Sequence, residues 1–424
     1  MLLMPFSTSD GSWNNPIVAL FTTTSAVCVT GLTVVDTGTY FSFEGQLIIA
    51  LLIQVGGLGY MTTSTLLMLL IGRQFDLRQK LAIQESFDRP FLQGSKSLIL
   101  SIISTTLVFE LAGSLFMIPV FAATYNPLQS FWLAAFHSIS AWNNAGFGLF
   151  KDNFMSYQSS ITINLVITGL IVFGGIGYQV IIEMYFWLLN RLENKHRRFV
   201  FSLNFKVVTS TTLFLLILGT LGFLLTDFSH PDTLANLSLK DKILAAWFQS
   251  VTARTAGFNT IDNGKLTTAA LFLTMGLMFI GASPSGTGGG IKTTTLRILS
   301  NCTRSVLGGQ EEVIIYQRQV PAPLILKAIA VVFGSAITVI AATTIIAFIE
   351  SDFNSIQILF EVISAFGTVG LSMGITASLS PMAQLVLVMT MYIGRVGIIL
   401  LMAAIVGDPD PTLINYPEEN LLVG

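Results

Sequence analysis

The chain has 424 residues, of which 52% are hydrophobic and only 10% charged, with a mean hydropathy of +0.73. Soluble domains carry roughly 25% charged residues, so this composition excludes a solvated globule and predicts a polytopic membrane protein. A net charge of −2 gives no sign of a nucleic-acid partner, and two distant cysteines, Cys28 and Cys302, suggest neither a disulfide framework nor a metal site.

The N-terminal stretch MLLMPFSTSDGSWNNP lacks the basic flank and long apolar core of a signal peptide. A short apolar segment near 15–28 and a span near 46–72 follow. Next come a span at 97–122, a short segment at 127–143 and a span at 162–190. The third group is a span at 207–226, a short segment at 241–254 and a run at 267–300 that is broken in the middle. The last is a span at 323–349, a short segment at 354–367 and a span at 382–406. The full spans approach or exceed the roughly 20 apolar residues that cross a bilayer as a helix; the short segments do not. Each short segment runs into a glycine-containing stretch.

Lysine and arginine set the orientation. Arg73, Arg78, Lys80, Arg89 and Lys96 fall in one loop, and Arg191, Lys195, Arg197, Arg198 and Lys206 in another. Lys292, Arg297, Arg304, Arg318 and Lys327 fall in a third, and all three are expected to be cytoplasmic. The alternate loops hold Lys151, Lys240, Lys242 and Lys265 among acids such as Asp227, Asp232, Asp262, Glu350 and Asp352, and are expected outside. The tail with Asp408, Asp410, Glu418 and Glu419 then falls inside.

The interruptions align with one another: SAVCVTGL (25–32), SAWNNAGF (140–147), VTARTAGF (251–258) and SAFGTVGL (364–371). Each has glycine seventh and a bulky apolar residue eighth. A second glycine patch follows about 24–28 residues after each glycine: GGLGY (56–60), GGIGY (174–178), GASPSGTGGG (281–290) and GRVGI (394–398). Four repeats of helix, re-entrant half-helix, loop and helix are therefore predicted. They cover 1–96, 97–206, 207–322 and 323–407, with a cytoplasmic tail at 408–424. Nothing before Asn14 is long enough for the first helix of repeat one, so that repeat is expected to be incomplete, through a late start or trimming. Each full repeat has an even number of spans, so all four sit the same way up and permit an all-α pseudo-fourfold ring around one central pore. Inverted repeats would instead point to a transporter.

Non-helical backbone at membrane depth is tolerated where it is buried in protein or lines water. Four such segments in one ring can offer carbonyl oxygens to a dehydrated cation. Glycine permits the backbone angles that turn those carbonyls inward, and the half-helix C-termini favour a cation. The candidate filter residues are Val29, Thr30, Gly31, Asn144, Ala145, Gly146, Thr255, Ala256, Gly257, Thr368, Val369 and Gly370. Taken singly, each glycine could be a turn residue.

TVGL at 368–371 looks like the TVGYG signature of potassium-channel filters. The fourfold pattern resembles the Trk/Ktr/HKT superfamily. SAVCVTGL, NNAGF, TARTAGFNT, the broken third-repeat helix and the ending YPEENLLVG look most like the KtrB-type membrane subunits of bacterial Ktr systems. The resemblance implies potassium uptake through one pore per chain, in the cell membrane. It implies a homodimer and a cytoplasmic ring of RCK-type (KtrA-like) regulatory subunits that carry the nucleotide. The chain itself would bind no cofactor beyond the transported K+, with sodium activation left open. In the HKT branch, serine at the first filter glycine goes with sodium permeation; here that residue is Gly31, which resembles the potassium-selective pattern.

GASPSGTGGGIKTTT (281–295) is neither a Walker loop, since Ile291 precedes Lys292, nor a nucleophile elbow. It reads as a flexible gate beneath the filter, with Gly281, Ser283, Ser285, Gly286, Thr287, Gly288, Gly289, Gly290 and Lys292; a packed kink is the alternative. The family resemblance also implies a gating loop here. Arg395, also assigned to the gate, lies mid-span in the register of Gly57 and Gly175; it serves as an electrostatic barrier to cations or pairs with the gate loop's carbonyls and hydroxyls, and a structural tether to backbone carbonyls is the alternative. The family carries an arginine at the matching position. Arg254 suits a half-helix C-terminus. Glu110, Glu183 and Glu361 are tethers or vestibule charges, and Gly56, Gly57, Gly59, Gly174, Gly175 and Gly177 are expected to be packing surfaces. His137, with only His196 and His230 elsewhere, gives no metal cluster or triad. The chain is read as no enzyme. The rival function is a sodium- or proton-coupled secondary transporter with alternating access.

Overall fold

The computed structural model describes residues 1–59, 95–193 and 199–398, excluding the side chains of 95–99. The basic loop with Arg73, Arg78, Lys80 and Arg89, residues Lys195, His196, Arg197 and Arg198, and the tail at 408–424 lie outside the described residues.

The described chain is predominantly helical. The helices are α1 Pro16–Val27, α2 Phe43–Leu58, α3 Ser95–Phe121, α4 Pro127–Trp142, α5 Ile161–Ile176, α6 Tyr178–Leu192 and α7 Leu203–Asp227. They continue as α8 Leu239–Thr252, α9 Thr268–Phe279, α10 Thr293–Leu307, α11 Ala322–Ile349, α12 Ser355–Gly367 and α13 Pro381–Val396. A small hairpin, Ile314–Ile315 against Arg318–Gln319, turns through Tyr316 and Gln317, both left-handed, and packs on Val207 of α7.

The half-helices start where local chemistry dictates. Asn15, Asn126 and Ser238 accept from Ile17 N, Gln129 N and Asp241 N at the starts of α1, α4 and α8. Gln357 returns a side-chain bond to Asn354 N at the start of α12, 3.1 Å. The helices that follow are capped alike: Ser42, Ser160, Thr267 and Ser380 accept from Gly45 N, Ile163 N, Ala270 N and Ala383 N.

Three described helices are long and apolar enough to cross a bilayer, at Leu100–Phe121, Leu203–Asp227 and Ala322–Ile349. The bent pair α5–α6 would make a fourth. This corrects the expectation of continuous spans at 46–72, 162–190 and 382–406. α2 stops at Leu58, α5 at Ile176 and α13 at Val396. The next residues, Gly59, Gly177 and Gly397, have φ of 78°, 92° and 85°. A left-handed residue cannot continue a right-handed helix, and between α5 and α6 the axis turns by 102°. Gly177 therefore separates two helices and Gly59 ends α2, rather than merely packing; residues 60–72 and 399–406 of the expected spans lie outside the described residues. In the third group the same break widens into the irregular segment between α9 and α10.

Buried side chains form clusters that pass from one group of helices to the next. Phe136 and Phe147 pack with Phe41 and Ile49, Phe154 and Ile167 with Phe248 and Phe258, and Met275 and Leu277 with Phe360 and Phe366. The last cluster also includes Phe21 and Leu32, from the first group.

Candidate ion pathway

At each half-helix end the backbone repeats one conformation. Val29, Asn144, Thr255 and Thr368 are left-handed, with φ of 58°, 58°, 69° and 48°. The residue after each is not, and the glycine after that is left-handed again, with φ of 86°, 70°, 76° and 93° for Gly31, Gly146, Gly257 and Gly370. An ordinary extended strand alternates its peptide groups from side to side. A left-handed residue at every second position turns successive carbonyls to the same side instead.

Hydrogen bonding is one-sided as well. Thr30 N, Ala145 N, Ala256 N and Val369 N donate back to Ser25 O, Ser140 O, Thr252 O and Ser364 O at 2.8, 2.7, 3.0 and 2.8 Å. Ser25 Oγ and Ser364 Oγ accept from Gly31 N and Gly370 N at 3.0 and 3.1 Å. Among the described residues, no donor reaches the carbonyl oxygens of 29–31, 144–146, 255–257 or 368–370. Buried carbonyls ordinarily find a donor, so these twelve oxygens are available to a cation.

The glycines close a circle. A Cβ on Gly31 would strike Ala145 O and Gly146 Cα; one on Gly146 would strike Ala256 O and Gly257 Cα. Gly257 stands in the same relation to Val369 O and Gly370 Cα, and Gly370 to Thr30 O and Gly31 Cα. The order runs one, two, three, four and back to one. All four glycines line one cavity of about 450 Å³.

That cavity carries three acids, of which only Asp262 is named in the sequence analysis, as an outer-loop charge. Asp36, Asp152 and Asp262 line it together with Lys151. They follow their glycines by five or six residues and brace the loops by accepting from Gly38 N (3.3 Å), Ser156 N (3.0 Å) and Gly264 N (3.0 Å). The recurrence of an aspartate five or six residues after the glycine in three of the four groups was the available signal. The fourth loop has no such acid; Glu361 supports it from α12, accepting from Ser372 Oγ, Met373 N (3.2 Å) and Thr376 Oγ1 (3.0 Å).

On the opposite side of the glycine circle lies the irregular segment 281–291. Ser283 N and Thr287 N donate to Gly175 O and Gly174 O at 3.0 and 3.1 Å, and Gly290 N donates to Gly394 O at 3.4 Å. Thr287 Oγ1 donates to Asn144 Oδ1 at 3.1 Å, and Gly289 N to Thr368 Oγ1 at 3.0 Å. Ser285 is left-handed and its carbonyl accepts from Tyr178 N in the α5–α6 bend, 3.3 Å. Lys292 Nζ donates to Gly288 O at 2.8 Å, and Arg254 Nη2 approaches Gly281 O at 3.4 Å. The Arg395 guanidinium donates to Thr287 O and to Gly56 O. Arg395 and the segment thus meet, and Arg395 binds backbone carbonyls.

The buried Glu110 and the half-buried Glu183 both accept hydrogen bonds from neighbouring segments. Glu110 accepts from Gln54 Nε2 and Asn143 Nδ2 at 3.2 and 3.1 Å, and Glu183 from Ser202 N at 3.0 Å. His137 is a packed core residue, accepting from Leu149 N at 3.1 Å with its ring stacked 4.8 Å from Phe150.

Comparison with known proteins shows the family and the fold. The TrkH family model, described as a cation transport protein, matches residues 6–414. The Ktr system potassium uptake protein B of Bacillus subtilis is 38% identical over the whole chain and 93% of its own length. The protein of that name from Vibrio alginolyticus is 37% identical over 96% of this chain and 88% of its own. The potassium/sodium uptake protein NtpJ of Enterococcus hirae is 33% identical over the whole chain and 93% of its own. The crystal structure of the potassium transporter TrkH from Vibrio parahaemolyticus matches with a TM-score of 0.71, at 17% identity, over 93% of this chain and 79% of that one, and shares the fold. With its long apolar helices and a family match over nearly its full length, the chain is a multi-pass membrane protein that belongs to the TrkH family of cation transport proteins.

Proposed function

We propose that the chain conducts potassium into the cell through the glycine-lined circle. The supporting observation is the set of twelve backbone carbonyls that no donor among the described residues reaches, in triplets whose middle N–H groups donate back into the half-helix. A dehydrated potassium ion exchanges its water oxygens for such carbonyls. The residues are Val29, Thr30 and Gly31 with their three counterpart triplets. Asp36, Asp152 and Asp262 raise the local cation concentration at the mouth.

In this reading the four groups of helices are the four repeats, and the segment Gly281–Gly290 with Lys292 is an intramembrane gate held by Arg395. The names of two relatives as proteins of a Ktr system support a system with partner subunits, and the rest of the proposal follows the family resemblance. The chain pairs as a homodimer, its C-terminus is cytoplasmic, and a KtrA-like ring that binds the nucleotide biases the gate. One relative's name pairs potassium with sodium, so the ion preference is the quantity to measure. The test is flux of K+ and Na+ into liposomes holding purified protein. Potassium flux down its gradient, well above sodium flux, supports the reading. Flux that needs a sodium or proton gradient instead makes the chain a coupled transporter.

A further inference from the structure

The first left-handed residue of each triplet forms a rim facing the irregular segment. Three of the four rim side chains are polar: Asn144, Thr255 and Thr368; the fourth is Val29, and all four are fully buried. Each polar one meets the segment. Asn144 accepts from Thr287 Oγ1 and Thr368 accepts from Gly289 N. A Cβ on Gly288 would collide with Thr255 Oγ1, so the loop backbone lies directly on that hydroxyl. Asn144 Nδ2 also donates to Thr255 Oγ1 at 3.2 Å, which joins two of the three. Val29 has no polar atom to offer. The first quarter is reached instead by Arg395, through Gly56 O.

Resting on the reading of the circle as the ion path, we propose that Asn144, Thr255 and Thr368 are a latch. They hold the loop shut from the filter side while Arg395 holds it from the other side. The differences among the four triplets then have a purpose. A single loop, contributed by one quarter, needs partners on the other rims, and each rim side chain is fitted to the loop atom above or below it. Opening the loop breaks the Asn144 and Thr368 bonds and returns their oxygens to the path. The rim residues are therefore positioning residues for the loop as well as part of the conduit.

Valine is compatible with this backbone, since Val29 adopts it at φ 58°. The test is K+ flux into liposomes without any partner protein, for wild type, Asn144→Val, Thr368→Val, Thr368→Ser and Thr287→Val. Each valine variant removes about one net hydrogen bond from the closed state, so basal flux is expected to rise about fivefold. Thr368→Ser keeps the acceptor and stays at the wild-type level. Thr287 Oγ1 also reaches Trp142 O at 3.3 Å, so Asn144→Val combined with Thr287→Val gives less than the product of the two single effects, because the Thr287–Asn144 bond is common to both. Thr287→Val leaves the circle untouched, so it reports on the latch even where a rim variant fails to fold. Wild-type basal flux in Thr287→Val and Thr368→Val, with a conducting wild type, overturns the latch and leaves the ion path standing. No K+ flux from any variant, including one lacking Gly286 to Gly290, overturns both.

Discussion

Arg395 and Gly56 are 339 residues apart in sequence, yet the guanidinium of one donates to the carbonyl of the other. A second arm of the same guanidinium takes Thr287 O. One cation thus ties α13 to α2 and to the irregular segment between α9 and α10. An arginine placed this way supplies donors in a fixed fork that a lysine cannot reproduce. Arg395→Ala should raise partner-independent K+ flux by at least about tenfold, since the bond to Thr287 O alone, made by a charged group, contributes roughly 1.5–3 kcal/mol. Arg395→Lys should fall between. Liposome flux checks both; unchanged kinetics in the alanine variant would reduce Arg395 to a structural tether.

Substituting the four glycines should not be equivalent. At Gly146 the nearest atom to an added Cβ is 2.8 Å away; at Gly31 and Gly257 it is 2.5 Å, and at Gly370 it is closer still. All four also need φ above zero. Serine at Gly370 is therefore expected to weaken K+ over Na+ discrimination most, and serine at Gly146 least. The ratio of K+ to Na+ flux for the four variants tests the order. An equal loss at all four would argue that φ alone, not space, sets the effect.

Asp36 and Asp262 act on approaching ions through long-range attraction, which salt screens over about 10 Å at 0.1 M. Asp36→Asn with Asp262→Asn should lower K+ flux about twofold at low ionic strength and leave it unchanged in high salt. A loss that persists in high salt would instead indicate collapse of the loops these side chains brace.

Glu110 sits beside the second half-helix with Gln54 and Asn143, and both of its described partners are neutral amides. Glu110→Gln should be tolerated, because an amide can still accept. Glu110→Ala removes the acceptor of Gln54 Nε2, while Asn143 Nδ2 keeps Gln54 Oε1 and Ile139 O; it should cost about 1 kcal/mol of stability, read as a lowered Tm in detergent. Equal Tm values for the two variants would show that the network contributes nothing.

Much of this architecture is legible in the sequence because its signals are local. The half-helix near 127–143 is Pro127–Trp142, and that near 354–367 is Ser355–Gly367; proline or an Asn cap marks the start, and a left-handed residue marks the end. The broken span at 267–300 was visible because glycine, serine and proline interrupt it over ten residues. The breaks at Gly59, Gly177 and Gly397 were not, because a single glycine lowers hydropathy very little while its φ decides whether the helix continues. Nor could spacing indicate that Thr287 meets Asn144 or that Arg395 meets Gly56. Those partners come from different quarters of the chain, and only their packing around a common centre brings them together.

The closed circle of Gly31, Gly146, Gly257 and Gly370 has one further consequence. All four belong to one polypeptide, so the circle forms by folding and not by association. Its completion is first-order and independent of protein concentration, and dilution cannot take it apart. Heredity also acts on it one quarter at a time: a single codon change alters one position of four, where in a ring of identical subunits it would alter all of them.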